Sequence, residues 1–289
     1  MNKIILGTVQ FGLPYGINNK RGQIPRKETF DILDIALRSG ITMLDTAHAY
    51  GESEQIIGGF IRKNGGSFKI ISKLPKCKIN EAQDIIKDSL KKLNIRRFYG
   101  YLFHDIKTYL KYPVIYELLR ELKEKGVIEK IGFSLYDTQD LEFVLKEDIR
   151  FDLVQVPYSI FDQRFEVYFG LLARKNIEIH VRSIFLQGLV FKTPKTLPGY
   201  FNPIKDKLSM LGTISSESGI SVVSLCLSFV LLNQLVDKVI VGVDSLRSFQ
   251  EIVDSKKDIE EVRAVYTKLI GLRVRNRKIL LPFNWKDLN

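Results

Sequence analysis

The stretch Met43–Gly58, MLDTAHAYGESEQIIG, contains the unit from which the fold is built. It begins with an apolar run that ends at Asp45, continues through a polar loop, and leads into a segment with helical spacing. Gly51 permits a turn, Ser53 is predicted to be the N-cap of the helix, and Glu54 lies in the first turn, where the helix dipole favours an anion. The stretch therefore predicts a strand, a loop and a helix, with polar side chains gathered where the strand ends.

The same unit recurs on both sides of this stretch. Apolar, β-rich runs alternate with segments of helical spacing, as expected for parallel strands that are covered on both faces. Pro25 precedes the first long helix, and Gly40 and Gly126 follow the last turns of helices. The predicted strands are Lys3–Gly7, Thr42–Asp45, Phe68–Lys73, Gly100–His104, Lys130–Ser134, Leu153–Pro157, Glu178–Ser183 and Lys238–Val243.

Eight such alternations predict a (β/α)8 TIM barrel rather than an open sheet. An open nucleotide-binding sheet needs a glycine-rich fingerprint after an early strand, and the nearest match, GTVQFG, lacks that spacing. We expect one domain over residues 1–289, with two segments that depart from the pattern. A Gly/Pro-rich loop at about 187–203 is predicted to lie near the substrate, and a basic then aromatic tail at about 273–289 is predicted either to cross the barrel mouth or to pack against the barrel wall.

The composition indicates a globular protein with an anionic partner. The chain is 45% hydrophobic, which suffices for a full core. Its formal net charge of +11 suits a phosphorylated cofactor, an anionic substrate, nucleic acid or a membrane surface, and does not by itself choose among them. The two cysteines show neither metal-ligand spacing nor a disulfide framework. The most apolar run, Val222 to Leu232, is too short to span a bilayer, no signal peptide precedes KIILG, and the basic run RVRNRK is a small footprint for nucleic acid. We predict a cytoplasmic protein, a monomer or weak homo-oligomer, that binds no metal, membrane or nucleic acid.

Polar side chains fall at the ends of successive predicted strands. Asp45 ends the second strand, Lys73 the third and His104 the fourth, and Tyr50 follows Asp45 in the adjoining loop. In a (β/α)8 barrel these ends meet at one mouth, where the active site lies. Each residue alone also fits a structural role, as a helix cap, a solvated ammonium or a structural imidazole. Together they predict one site.

This combination suits proton donation to a carbonyl oxygen. A tyrosine with a pKa of about 10 is a poor acid at neutral pH, and a nearby ammonium is expected to lower that pKa. Asp45 would keep Lys73 protonated and in place, while His104 would donate to the carbonyl oxygen and orient the substrate. The predicted chemistry is delivery of a hydride to a carbonyl carbon, with the proton supplied by Tyr50.

Seven motifs resemble the aldo-keto reductase superfamily, in its order and at its spacing, from about Leu6 to Ile252. LDTAHAYGESEQIIG is similar to the family signature around the catalytic aspartate and tyrosine. IISKL resembles the segment that supplies the lysine, and YLFHD the segment that supplies the histidine. EKGVIEKIGFSLY, QVPYSIFDQR, RSIFLQGL and VIVGVDS resemble strands five to eight with their loops.

The resemblance implies an NAD(P)H-dependent reductase of aldehydes or ketones, with NADPH as the usual cofactor. It implies that Tyr50 is the general acid, that Lys73 and Asp45 tune it, and that His104 orients the carbonyl. The implied cofactor contacts are Ser134 and Gln155 for the nicotinamide carboxamide, Ser183, Phe185, Gln187 and Gly188 for the pyrophosphate, Gly242, Asp244 and Ser245 for the adenosine end, and Thr8, Asp45 and Arg182 besides.

Some positions depart from the commonest family pattern. Leu135 stands where many members have an asparagine that contacts the nicotinamide. Arg182 stands where an aromatic ring often stacks on the nicotinamide, and a guanidinium can stack there or bind the pyrophosphate. Asp244 and Ser248 stand where many members hold the 2′-phosphate of NADPH with basic residues, a loss for which Arg247 could compensate. We predict NADPH, with NADH as the alternative.

The N-terminal segment GTVQFGLPYGINNKRGQIP resembles members found among bacterial sugar-biosynthesis enzymes. We therefore predict a small carbonyl substrate that is a sugar or nucleotide-sugar intermediate, with Tyr15 as one aromatic neighbour. The alternative is a non-catalytic, nicotinamide-binding barrel that serves as a regulatory subunit. The predicted substrate contacts are Gln10, Phe11, His48, Tyr50 and His104.

Overall fold

The computed structural model describes residues 3–65 and 68–285. In these ranges eight strands form a closed ring in which each strand is paired in parallel with its two neighbours. The (β/α)8 TIM barrel predicted from the sequence is confirmed. The strands are β1 (Ile4–Gly7), β2 (Met43–Asp45), β3 (Lys69–Leu74), β4 (Phe98–Phe103), β5 (Ile128–Ser134), β6 (Leu153–Pro157), β7 (Glu178–Arg182) and β8 (Lys238–Gly242).

Helices surround the ring and connect its strands. They are α1 (Val9–Gly12), α2 (Arg26–Arg38), α3 (Ser53–Asn64), α4 (Ile79–Leu93), α5 (Ile106–Lys111), α6 (Val114–Glu124), α7 (Thr138–Lys146), α8 (Glu166–Arg174), α9 (Asn202–Ser218), α10 (Val222–Leu231), α11 (Leu246–Asp254), α12 (Ile259–Ile270) and α13 (Arg277–Leu280). Short 3-10 turns cover Leu186–Phe191, Pro194–Thr196, Gly199–Phe201, Ser255–Asp258 and Pro282–Trp285.

No helix of the described residues is by itself long and apolar enough to cross a membrane. The segments Gly199–Ser218 and Val222–Leu231 reach that length and composition only as a pair, and they are bent by 98° relative to each other.

The observed strand bounds lie within two residues of the predicted ones. The largest shifts are at the starts of β4 and β5, which begin at Phe98 and Ile128. These two residues pair with each other and are almost fully buried, so the ladder extends back to them.

Parallel pairing brings the strand ends to a common level. Gly7 lies opposite Asp45 of β2 and opposite Gly242 of β8. Ser134 at the end of β5 lies opposite Gln155 of β6. Because the ring is closed, residues predicted independently on separate strands share one rim.

Two buried clusters hold the barrel together. One consists only of strand residues and fills the inside of the ring, as is usual in this fold. The other packs the helices onto the outside of the ring and includes the apolar α10 with the buried Cys226. The members of the inner cluster are Ile5, Met43, Ile71, Tyr99, Leu102, Leu153 and Ile240.

The two segments that departed from the repeating pattern pack against each other beside the barrel mouth. Trp285 is 4% exposed, and its ring lies edge-on to Phe201, with the ring centroids 5.2 Å apart. Phe283 meets Tyr136 with ring centroids 5.9 Å apart. The tail therefore packs on the rim as far as Trp285, and the predicted tail residues 286–289 lie outside the described residues.

The Glu178 carboxylate lies near the starts of the strands, away from the mouth, and interacts with three donor side chains. Tyr99 donates to the two carboxylate oxygens of Glu178 at 2.7 and 2.9 Å, and Lys130 pairs with it at 2.8 Å. The Nε2 atom of His180 lies 3.1 Å from the same carboxylate. Burial alone would raise the pKa of Glu178, but the hydrogen bonds from His180, Lys130 and Tyr99 outweigh it and lower that pKa to about 2.

The substitution Glu178→Gln is expected to lower the free energy of unfolding at pH 7 by about 2 kcal/mol, since three donors lose a charged acceptor. The carboxylate stabilises the fold fully above its ordinary pKa of 4.5, and this contribution is lost as the pH falls towards 2. Urea unfolding at pH 7 and pH 3 should therefore show a smaller difference between variant and wild type at pH 3. Glu117→Gln, at an exposed pair with Arg120, is the control; an equal loss there would contradict the assignment.

Candidate active site

A cavity of about 770 Å³ opens at the carboxyl ends of the strands. This volume lies within the range of small-molecule sites, about 300–1,000 Å³. Most of the residues that the sequence assigned to a site line this cavity. They are Thr8, Gln10, Asp45, Tyr50, Lys73, His104, Ser134, Arg182, Ser183, Phe185, Gln187, Gly188, Gly242 and Asp244.

Two opposite charges are buried together in the cavity wall. Lys73 is 1% exposed, and its Nζ donates to Oδ2 of Asp45 at 2.6 Å and to the backbone oxygen of Thr46 at 2.9 Å. Gln155 donates to the other carboxylate oxygen of Asp45 at 2.5 Å. Burial lowers the pKa of Lys73, and Asp45 opposes that shift by favouring the ammonium. The pair holds a positive charge at a fixed place in the site.

Tyr50 is placed by a tight loop between β2 and α3. Its backbone N–H donates to Ala47 at 2.9 Å, and its carbonyl accepts from Ser53 at 3.0 Å. Gly51 has a left-handed backbone with φ of 54°. A Cβ on Gly12 of α1 would lie 1.8 Å from the carbonyl oxygen of Tyr50. The loop thus packs on α1 at a distance that only glycine permits.

The phenol, the ammonium and the imidazole are neighbours. Lys73 Nζ lies 5.2 Å from the centroid of the Tyr50 ring, and the rings of Tyr50 and His104 are 5.7 Å apart at 79°. Burial, followed by the charge of Asp45, raises the pKa of Tyr50. The sequence argument expected the ammonium to lower it. That direction is wrong, because burial and the negative charge of Asp45 both disfavour the phenolate.

His104 is uncharged at neutral pH. Burial, and then the positive charges of Lys73 and Arg182, lower its pKa to about 3. A neutral imidazole can donate one N–H to a carbonyl oxygen, but it holds no second proton to transfer. His104 is therefore suited to orienting a substrate rather than to supplying the proton.

Four predicted site residues do not line the cavity. Phe11 is fully buried in the core, because α1 turns its ring away from the mouth, so its expected substrate contact is not supported. His48 points towards Ser89 of α4, with 3.4 Å from Nδ1 to the hydroxyl. Gln155 lies behind Asp45 and is fully buried. Ser245 caps α11, and its hydroxyl accepts from the backbone of Ser248.

The segment after Tyr50 corrects the expectation for Ser53 and bears out the expectation for Glu54. Ser53 was expected to cap α3, but Glu52 occupies that position and the Ser53 hydroxyl donates to the backbone oxygen of Thr8 at 3.0 Å. Glu54 lies in the first turn of α3 as expected, and it is 2% exposed and accepts from Ser72 at 2.7 Å. Both side chains join α3 to the barrel.

Residues 3–268 match the family described as the aldo/keto reductase family. The chain belongs to the aldo/keto reductase family. It is accordingly an NAD(P)H-dependent oxidoreductase that acts on a small carbonyl compound.

Relatives of this reductase differ in their sequence identity to it and in the share of the chain that they cover. The uncharacterized oxidoreductase YqkF of Bacillus subtilis is 25% identical over 271 residues, which cover 83% of this chain and 87% of YqkF. D-arabinose 1-dehydrogenase of Saccharomyces cerevisiae is 31% identical over 121 residues, covering 37% and 36% of the two chains. The holo form of aldo-keto reductase AKR11C1 from Bacillus halodurans has the same fold, with a TM-score of 0.70, 23% identity and 91% coverage of both chains.

The residues of the reductase fit a nicotinamide cofactor. Oε1 of Gln155 is buried without a hydrogen-bond partner among the described residues, and so is Oε1 of Gln10. Gln10 lines the cavity, so its Oε1 can accept from an amide or a hydroxyl of a bound molecule. Gly242 lines the cavity next to Gln10, where a Cβ would lie 3.2 Å from Oε1 of that glutamine. A larger residue at position 242 would fill this cradle.

The loops after β1 and β7 meet above the cavity of the reductase. Gln187 donates to the hydroxyl of Tyr15 at 2.6 Å, and its backbone oxygen accepts from Ile17 at 3.1 Å. A Cβ on Gly188, which has φ of 90°, would lie 2.7 Å from Asn18. The loop at about 187–203 therefore begins as part of the cavity wall.

Sequence reasoning missed several lining residues. Glu251 and Ile252 lie on the same face of α11 as Ser248, and this i, i+3, i+4 spacing was a usable signal. Tyr136 follows the end of β5 and was equally open to prediction. The start of α10 and the segment around Asn18 line the cavity without any local signal, because folding alone brings them there.

Proposed function

We propose that this reductase converts the carbonyl group of a small aldehyde or ketone to an alcohol, with Tyr50 as the proton donor. The observation that carries the proposal is the grouping of a buried, Asp45-bound Lys73 and a neutral His104 around the Tyr50 ring. The alternative of a non-catalytic regulatory barrel gains no support from a site in which all four side chains share one cavity.

The reaction balances with the groups at hand. When bound, the reduced nicotinamide supplies a hydride, that is two electrons and one proton, to the carbonyl carbon. Tyr50 breaks its O–H bond and gives the proton to the carbonyl oxygen. Lys73 stabilises the phenolate that remains until solvent returns a proton. His104 donates its N–H to the same carbonyl oxygen and so orients the substrate.

The residues proposed to hold the nicotinamide lie beside the catalytic group. Ser134 lines the cavity, and the unpartnered Oε1 of Gln155 lies on the neighbouring strand. Gln155 also donates to Asp45 at 2.5 Å. We therefore assign the contact with the carboxamide to Ser134, and we assign to Gln155 the role of holding Asp45 in place for Lys73.

NADPH is the proposed reductant. Arg21, which pairs with Glu28, donates to the backbone oxygen of Asp244 at 3.4 Å. Arg247, which pairs with Glu251, lies in the first turn of α11, so two basic residues lie close in the fold to the proposed adenosine end. The carboxylate of Asp244 opposes a 2′-phosphate, and Ser245 donates to that carboxylate at 3.1 Å. The basic residues favour the 2′-phosphate of NADPH and the Asp244 carboxylate disfavours it, so the preference between NADPH and NADH has to be measured directly.

A sugar-derived substrate is proposed from the mouth of the cavity. Aromatic rings of Tyr15, Tyr136 and Phe191 line it, and rings of this kind pack against sugar faces. Lys192 and Lys195 follow on the adjacent loop and suit a phosphate. One partial relative is named for a sugar, D-arabinose.

Steady-state kinetics of the purified chain test the proposal. NADPH and NADH are each assayed with benzaldehyde, D-glyceraldehyde and a nucleotide-activated keto sugar. We expect alcohol to form in equal amount to the cofactor consumed, with the highest kcat/KM for NADPH and the keto sugar. A higher kcat/KM with NADH would overturn the choice of NADPH, and activity on simple aldehydes alone would remove the sugar. No turnover with any substrate would overturn the reductase reaction.

A further inference from the structure

The positively charged Arg182 lines the cavity, and among the described residues no carboxylate forms an ion pair with it. Its Nη2 donates to the backbone oxygen of Leu135 at 2.9 Å and its Nη1 to the hydroxyl of Ser183 at 3.3 Å. Its guanidinium carbon lies 4.0 Å from the centroid of the Tyr136 ring. These contacts hold the group in place, but they are neutral, so the positive charge stays uncompensated.

Tyr136, on whose ring Arg182 stacks, is held in place by neighbouring residues. Arg164 pairs with the buried Asp162 at 2.8 Å and donates to the backbone oxygen of Tyr136 at 3.3 Å. On the other side Phe283 meets the Tyr136 ring edge-on. The ring against which Arg182 stacks therefore has neighbours on two sides, which is how a binding group is kept in a defined position.

Arg182 lies at the catalytic end of the cavity. Its charge contributes to the low pKa of His104 and opposes the rise in the pKa of Tyr50, so it acts on both groups. Lys73 is neutralised by Asp45, and His104 is uncharged. The described side chains around the proton donor therefore carry one positive charge in excess.

The other carboxylates of the cavity lining do not remove this excess. Asp244 and Glu251 belong to the segment after β8, not to the strands that carry the catalytic groups. Glu251 pairs with Arg247 at 3.2 Å, and Asp244 accepts from Ser245 at 3.1 Å. Both thus have partners in their own segment.

An uncompensated guanidinium here has a consequence for the proposed reaction. A bound oxidised nicotinamide would add a further positive charge to the same cavity, and like charges repel each other. An anionic group close to Arg182 would remove that repulsion. A guanidinium also offers paired N–H donors that match a carboxylate or a phosphate.

We propose that Arg182 is a specificity-determining residue that binds an anionic group, a carboxylate or a phosphate, on the carbonyl substrate. The inference rests on the proposed carbonyl reduction and narrows its substrate class to anionic aldehydes and ketones. Tyr136 holds the guanidinium from one side, and the anion is bound from the open side of the cavity. The cofactor diphosphate is the other source of such an anion, and the experiments separate the two.

The first experiment compares matched aldehydes that differ in charge. D-glyceraldehyde 3-phosphate is paired with D-glyceraldehyde, and 4-carboxybenzaldehyde with benzaldehyde. Wild type is expected to prefer the anion of each pair by at least about tenfold in kcat/KM. Arg182→Met is expected to bring the ratio of the two kcat/KM values in each pair to about one, and this ratio cancels any change in the catalytic groups that the anionic and neutral aldehydes share. The matched control is Arg120→Met, at an exposed pair on α6, which should keep the preference.

The second experiment measures binding without turnover. Benzoate and benzamide are titrated by calorimetry into the full chain saturated with NADP+, and NADP+ itself is titrated into wild type and Arg182→Met. We expect benzoate to bind wild type at least about tenfold more tightly than benzamide, and Arg182→Met to lose that difference with an unchanged Kd for NADP+.

The outcomes separate this inference from the proposed function. Equal binding and equal kcat/KM of anionic and neutral compounds in wild type would overturn the inference and leave carbonyl reduction standing. A raised Kd for NADP+ in Arg182→Met with the anion preference intact would assign Arg182 to the cofactor diphosphate and also overturn it. Selective benzoate binding without reduction of any aldehyde would support the anion site and overturn the reaction.

Discussion

Replacing Tyr50 by phenylalanine is expected to lower kcat for aldehyde reduction by about 10³-fold, within the range for loss of a general acid. The variant keeps the ring that packs beside Lys73 and His104 and loses only the phenolic proton. Folding and cofactor affinity are therefore expected to stay near wild type. Since the pKa of Tyr50 is raised, the phenol stays protonated at neutral pH, and the wild-type rate should show no loss of the acid between about pH 6 and pH 9.

Single-turnover rates and the Kd for NADPH, measured on the same preparations, check this expectation. Tyr200→Phe is the matched control, since its hydroxyl donates to the backbone oxygen of Lys278 outside the cavity. It should leave both quantities unchanged. Full turnover by the Tyr50 variant would falsify the assignment of the proton donor, whereas a loss of cofactor binding would show that the hydroxyl acts in binding.

Breaking the buried pair of Asp45 and Lys73 is expected to have the largest effect on stability. Asp45→Asn leaves an ammonium that is 1% exposed without a countercharge, and the free energy of unfolding should fall by about 3–5 kcal/mol. Lys73→Met leaves the carboxylate with the Gln155 amide as a donor, and should cost less. The double variant should lose less than the sum of the single losses, because no unpaired charge remains.

Urea unfolding of the four proteins gives the coupling free energy. The control cycle uses Asp34→Asn and Arg38→Met, a pair at 2.5 Å whose side chains are 47% and 76% exposed. Water screens that pair, so its coupling should stay below about 0.5 kcal/mol. Additive losses at Asp45 and Lys73 would contradict a buried ion pair. Reductase activity should be lost in every variant of the first cycle, since each one removes the Lys73 ammonium or the carboxylate that holds it in place.

The fold and much of the site followed from local patterns. Apolar runs alternating with helical segments are enough to identify strands, and in a closed parallel ring every strand end faces one side. Asp45, Lys73 and His104 were therefore brought together by topology without knowledge of any side-chain contact. The start of β4 was predicted two residues too late, because Phe98 joins that strand by pairing with Ile128 of β5.

Residues whose role depends on direction were harder to predict. Phe11 and Gln10 are adjacent in sequence, yet one side chain enters the core and the other lines the cavity. Ser53 has the chemistry of a helix cap, but a hydrogen bond to Thr8 of another segment competed with that role. Local propensity is a weak guide where a tertiary partner is available.

The sequence by itself determined the barrel and the set of groups that meet at its mouth, because strand periodicity and strand ends are local properties. Only the tertiary structure decided the electrostatics of those groups. Burial and the partners of each charge raise the pKa of Tyr50, keep His104 neutral and leave Arg182 uncompensated. These effects depend on distances between strands and on the exclusion of water, and neither is written in the order of the residues.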